Sequence, residues 1–155
     1  EVKELGFNYR LTEFQAALGS SQLTKVDYLI KKKQLIAKRY NKYFNEIDYI
    51  NIPPVRENCY HAYHLYPLLI DFKKLNLNKS LLMNYFLKNN FRLQVHYKPI
   101  HTYKLYKKLF KFKNNDFPVS LNFFNNEVSI PIFPSLKEDI QDKFISLFGK
   151  FFRTK

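Results

Sequence analysis

Four histidines, His61, His64, His96 and His101, are the side chains able to exchange a proton near neutral pH. Two of them lie in Gln94-Val95-His96-Tyr97-Lys98-Pro99-Ile100-His101, where Pro99 breaks a strand and leaves both at a loop. On residue types alone, one of this pair reads as a satisfied structural histidine, and so does His64 in its aromatic run. A second stretch with chemical capacity is Gly6-Phe7-Asn8-Tyr9-Arg10, just ahead of Thr12. Thr12 followed three residues later by Gln15 is a capping box, so a helix starts there. The loop therefore carries an amide and a guanidinium to the positive end of a helix dipole, where an anion is held cheaply. The plain alternative is that Asn8 closes a turn and Arg10 pairs with Glu4 or Glu13.

Other devices are excluded by spacing. No C-x-x-C or H-E-x-x-H pattern occurs, so no metal site is expected. With 3 glycines, no glycine-rich phosphate loop is expected, and no nucleophile elbow surrounds a Ser or Cys. Cys59 is the single cysteine, which rules out an internal disulfide and agrees with a reducing cytoplasm. No apolar run reaches membrane-spanning length, and no signal peptide is visible. The formal net charge of +13 and 18% aromatic content are what a basic module for nucleic acid or another anionic surface would carry. Against that, lysine dominates arginine and is scattered through every segment, as a lysine-rich composition dictates. The run Lys31-Lys32-Lys33 reads as a solvated face.

The elements that must position these residues follow from periodicity. At 155 residues the chain fits one domain with a real core. Behind the cap, Ala16, Ala17, Gly19, Ser20 and Ser21 leave room for a second backbone to approach. Leu11, Phe14, Leu18, Val26, Leu29, Ile36, Tyr40 and Tyr43 recur at helical spacing. Unbroken from Thr12 to Phe44, that helix would be about 50 Å long at 1.5 Å per residue, enough to link two bodies. Strands are expected at Tyr49–Ile52, Ala62–Phe72, Phe91–Tyr97 and Val128–Ile132, with Pro67 marking an edge or bulge. Helices are expected at Asn78–Lys88, Tyr103–Phe110 and Pro118–Asn125. A last one should open on a capping box from Ser135 to Glu138. The class is α+β: an antiparallel sheet from Ala62–Phe72, Phe91–Tyr97 and Val128–Ile132, with helices on one face. The strand period of two places His96, Tyr97 and His101 on one open concave surface, with Lys98 and Ile100 turned elsewhere.

Three stretches carry a resemblance. Asn8-Tyr9-Arg10-Leu11 with Gln15-Ala16-Ala17 and Gly19 resembles an N-Y-R-[LM]-x-x-x-Q-A-A-x-G segment. Gln94–His101 is similar to Q-V-H-Y-x-P-x-H. Val128-Ser129-Ile130-Pro131-Ile132-Phe133-Pro134-Ser135-Leu136 is similar to L-S-[IL]-P-[LIM]-[FY]-P-x-L. Their types and order are those of the DegT/DnrJ/StrS-type sugar aminotransferases, which use pyridoxal phosphate to aminate nucleotide-linked keto-sugars. The resemblance spans the chain but only the C-terminal portion of such an enzyme. Within the family, YHLYPLLI and VHYKPIH are most like the members acting in pseudaminic acid biosynthesis.

The resemblance implies a fold-type-I aminotransferase part: an interface loop and long linking helix over 1–44, then a small α+β domain over 45–155, with the N-terminal cofactor-binding domain absent. It implies a cytoplasmic homodimer acting on a UDP-linked keto-sugar, with glutamate as donor, and no nucleic-acid or membrane partner. Asn8 would contact the cofactor phosphate of the neighbouring subunit; Arg10, His96, Tyr97 and His101 would bind substrate. The Schiff-base lysine belongs to an S-x-H-x-x-K motif upstream of the N-Y-R segment in that family, and this sequence lacks it. His101-Thr102-Tyr103-Lys104 mimics H-x-x-K, but Pro99 stands at the serine position, so Lys104 is expected to be a surface lysine. By itself the chain is expected to be inactive.

Overall fold

The computed structural model describes residues 1–153, so the last two residues of the span expected to form the C-terminal domain lie outside the described residues. The capping box forms: Thr12 Oγ1 accepts the Gln15 N–H at 3.3 Å, and Gln15 Oε1 accepts the Thr12 N–H at 3.0 Å. Helix α1 (Glu13–Leu23) follows. The apolar periodicity continues beyond it, but the helix does not. Thr24 Oγ1 donates to the Ser21 carbonyl at 2.8 Å, and the Lys25 N–H closes on the Gln22 carbonyl at 3.0 Å. A back-bonded hydroxyl thus competes with the helical ladder just after the small residues, and the chain restarts as α2 (Val26–Phe44). Helix α1 buries nothing, whereas α2 buries Ile36, Ala37, Tyr40 and Phe44, one stripe of its last turns.

The sheet has three antiparallel strands in the order β1 (Ile50–Asn51), β2 (Tyr66–Ile70), β3 (Glu127–Ile130). Ile50 pairs with Ile70, Tyr66 with Ile130, and Leu68 with Val128. Tyr66, Leu68 and Ile70 are buried on one face, as the period of two requires. Strand β2 starts later than expected because Tyr63 takes a left-handed φ of 46° and gives its N–H to His61 Nδ1 at 2.9 Å. Pro67 lies opposite Ser129, whose N–H and C=O both turn away from β2 toward Gln94. In that register Pro67's missing donor faces the other side, beyond the end of two-residue β1. The proline is tolerated where β2 is locally an edge.

The expected strand Phe91–Tyr97 is not one. It touches the sheet through one bridge, Gln94 to Ser129, and the short β1 takes the third place. The next ladder step would pair the His96 N–H with the Glu127 carbonyl. Instead the Glu127 carboxylate reaches over and takes that N–H at 2.8 Å, while the carbonyl accepts from Lys79 Nζ at 3.3 Å. A side chain intercepts the ladder, and pairing stops.

Helix α3 (Lys79–Lys88) is capped by Asn78, whose Oδ1 accepts the Ser80 N–H at 2.8 Å, and it ends at Asn89 and a left-handed Asn90. Pro99 leads into a 3₁₀ turn over Ile100–Thr102, then α4 (Lys104–Phe110), then α5 (Pro118–Asn126) with Pro118 in its first turn. The final helix, α6 (Glu138–Arg153), starts later than its expected box: Ser135 sits in a turn closed by the Leu136 N–H on the Phe133 carbonyl. On α6, Phe144, Phe148 and Phe151 are buried. Phe144 stacks on Phe86 with ring centroids 4.7 Å apart, and Phe148 meets Phe44 edge-on at 4.9 Å. Aromatic rings from α2, α3 and α6 therefore close the core over the buried strand residues. The class is α+β.

Candidate functional site

Glu127 and Ser129 are two apart on β3, so both project toward the Gln94–His96 segment. Both are buried, Glu127 completely. Glu127 Oε1 accepts the Ser129 hydroxyl at 2.5 Å, and Ser129 Oγ lies 2.8 Å from His96 Nδ1. With Oε2 on the His96 N–H, the carboxylate holds the histidine at its backbone and, through the serine, at its ring. Behind it Lys79 Nζ donates to the carbonyls of Phe124 and Glu127 and lies over the Phe124 ring at 4.7 Å. Burial pushes the Lys79 ammonium below its ordinary pKa, and the charge of Glu127 opposes that shift.

His96 and Ser129 line an open cavity of about 480 Å³. Gln94, His64, Asn90 and Arg92 add polar groups to it, and Pro131 with Phe133 adds apolar wall. Two of the three resembling motifs thus meet in one hollow. His64 is exposed outside β2 and faces the cavity rather than serving as a structural ring. Arg92, Asn90 and Glu127 carry no functional reading in the sequence, His64 reads there as structural, and Ser129 stands only as a member of the third motif. Only the alternate spacing of Glu127 and Ser129 on a strand offered a signal, and it does not reveal what they face.

The three aromatic site residues do not share one open surface, as strand periodicity would have it. Tyr97 is 71% exposed, its ring edge-on to His96 at 4.7 Å. His101 is 6% exposed, lies off the cavity, donates from Nε2 to the Asn114 carbonyl at 3.1 Å, and rests against Phe117. The cause is the 3₁₀ turn after Pro99, which rotates His101 inward and leaves Ile100 63% exposed. Lys104 is exposed at the start of α4, as expected of a surface lysine.

Asn8 and Arg10 lie on an arm, residues 1–28, that is exposed throughout and lines no part of the cavity. Asn8 Oδ1 accepts the Arg10 N–H at 3.0 Å, which closes a turn and leaves the Asn8 amide N–H groups outward. Among the described residues the Arg10 guanidinium forms no ion pair with Glu4 or Glu13. An outward amide and an unpaired cation beside a helix N-terminus suit a phosphate-sized anion, so these residues fit the phosphate end of pyridoxal phosphate. No group of His, Cys, Asp and Glu suited to a metal occurs among the described residues. Among the described residues no helix is long and apolar enough to cross a membrane.

Comparison with known proteins places this geometry. Residues 1–148 match the model of the DegT/DnrJ/EryC1/StrS aminotransferase family, whose members depend on pyridoxal phosphate. The chain is 36% identical over 147 residues to a UDP-4-amino-4,6-dideoxy-N-acetyl-beta-L-altrosamine transaminase of Helicobacter pylori, covering 92% of this chain and 37% of that protein. It superposes with a TM-score of 0.85 on Helicobacter pylori PseC, an aminotransferase of pseudaminic acid biosynthesis, at 32% identity over 100% of this chain and 41% of that one. It also superposes on the PLP form of the putative sugar aminotransferase Spr1654 of Streptococcus pneumoniae, with a TM-score of 0.80 at 25% identity, over 93% of this chain and 36% of that one. The chain thus spans little more than a third of the curated relatives it matches. With its three motifs on one α+β scaffold, the chain belongs to the DegT/DnrJ/EryC1/StrS aminotransferase family.

Proposed function

We propose that this chain is the C-terminal portion of a sugar-nucleotide aminotransferase that moves an amino group, from glutamate, to the 4-keto carbon of a UDP-linked deoxy-sugar. The observation that carries the reading is the likeness to the Helicobacter pylori transaminase across nearly the whole chain. Residues 1–44 serve as an interface arm and linker, residues 45–155 as the small domain, and the working enzyme is a cytoplasmic homodimer. No nucleic-acid partner is assigned to the net charge.

Pyridoxal phosphate, when bound in the complete enzyme, supplies the carrier for the amino group. This chain's residues then have the work of holding. Asn8 donates to the cofactor phosphate in the neighbouring subunit, and Arg10 lies close by toward phosphate or substrate. His96 at the cavity, and Tyr97 on the open surface beside it, hydrogen-bond the sugar nucleotide, with His101 in the same loop behind them. The chain is inactive without the domain that bears the Schiff-base lysine.

Isothermal titration of the chain with a UDP-linked N-acetyl-deoxy-sugar tests the substrate side. The expected result is saturable binding that weakens about tenfold in His96→Ala, as loss of one good hydrogen bond implies. Binding that is indifferent to His96→Ala, or equal for a nucleotide without sugar, would count against it.

A further inference from the structure

We propose that Glu127 and Ser129 are positioning residues that lock His96 in one tautomer, with the proton on Nδ1 and the Nε2 lone pair turned to the cavity as an acceptor for a hydroxyl of the sugar ring. The choice of a sugar hydroxyl rests on the function proposed above; the tautomer does not.

The direction follows from counting donors. Glu127 as a carboxylate can only accept, and it accepts twice: the His96 N–H on Oε2 at 2.8 Å and the Ser129 hydroxyl on Oε1 at 2.5 Å. Oε2 faces a backbone N–H, which can only donate, and the Lys79 ammonium sits on the carbonyl of the same residue. Ser129 has one proton, and it is given to Glu127. Toward His96 Nδ1, 2.8 Å away, the serine offers a lone pair, so Nδ1 must bring the hydrogen. A neutral imidazole carries one N–H, which leaves Nε2 bare.

The arrangement is built rather than incidental. Glu127 is 0% exposed and has no water as an alternative partner, and Ser129, at the cavity wall, is only 5% exposed. An unmade bond there would leave a buried polar group unsatisfied. The same carboxylate fixes the His96 backbone, so ring and main chain are set together. His96 itself lines the cavity, and with Nδ1 spoken for, Nε2 is the ring atom left to a ligand. The consequence is selectivity of a stated kind: an acceptor at this spot takes an O–H or N–H donor and rejects a carbonyl or phosphate oxygen.

The test reads the tautomer directly. The 155-residue chain labelled with ¹⁵N-histidine is studied by two-bond ¹H–¹⁵N correlation at a pH where His96 is neutral and without substrate. The expected pattern for His96 is a pyrrole-type Nδ1 and a pyridine-type Nε2, the reverse of free histidine. Ser129→Ala and Glu127→Gln, each confirmed folded by the dispersion of its amide spectrum, should shift His96 toward the Nε2–H form. A wild-type His96 already protonated on Nε2 would overturn the proposal, whether or not either variant folds. So would folded variants that keep the wild-type pattern. Because no substrate is present, failure of the transaminase reading would leave this result standing, and an Nε2–H ring would leave that reading untouched.

Discussion

The Tyr40 hydroxyl donates to the Pro131 carbonyl at 2.9 Å, joining the last turns of α2 to the Ser-Ile-Pro-Ile segment that walls the cavity. Tyr40 is wholly buried, with rings of Tyr66 and Phe144 within 5.9 Å. The helix that carries the exposed arm is thus bonded to the segment that carries Ser129. Tyr40→Phe keeps the ring and strands the carbonyl, and should cost about 1–2 kcal/mol in urea unfolding. An unchanged midpoint would show that the bond contributes nothing.

Alkaline pH should probe the same burial. Desolvation raises the pKa of Tyr40 and of Tyr66 far above the ordinary value of 10.0. A group held neutral in the fold but free to ionise when unfolded stabilises the fold fully below that ordinary value and loses its contribution as pH rises above it. Stability should therefore fall steeply above about pH 10. Tyr40→Phe should make the fall shallower. A stability flat through that range would contradict the assignment.

Phe144 touches Tyr40, Phe86 and Phe91 and is 1% exposed. Phe144→Ala leaves a cavity where three elements meet and should cost about 3–5 kcal/mol. Thermal melts that drop by only a degree or two would mean the aromatic core collapses around the gap.

What could be read from the sequence was local. Thr12 with Gln15, Asn78 and Pro118 each mark a helix start because their chemistry acts within one turn. The three motifs gave the family for the same reason: they are contiguous. What escaped was set by residues distant in the chain. Phe91–Tyr97 has a strand's composition, but Glu127, 31 positions after His96, takes the N–H a ladder needs. The break after Leu23 rests on a hydroxyl bond that apolar spacing does not register. His101 is buried by a short turn, and period-two counting does not extend past the proline that starts it. The cavity drew on His64 and Arg92 from segments read as structural, and its shape exists only once β3 is in place.

Asn8 makes a sharper claim about assembly. In an enzyme restored with a cofactor domain, Asn8→Ala subunits are mixed with subunits lacking the Schiff-base lysine. If Asn8 serves its neighbour's cofactor, each hybrid holds one intact site and one doubly defective site, and activity returns. Hybrids as dead as both parents would place Asn8 in its own subunit's site.

The most direct measurement is amino transfer itself. The chain is co-expressed with the remaining N-terminal portion of the Helicobacter pylori transaminase, then supplied with pyridoxal phosphate, glutamate and a UDP-4-keto-6-deoxy-sugar. Mass spectrometry follows the sugar nucleotide. The account predicts a 4-amino product and 2-oxoglutarate from the pair, and neither from the chain alone. Product from the chain alone, or none from a pair that copurifies and binds cofactor, would contradict it.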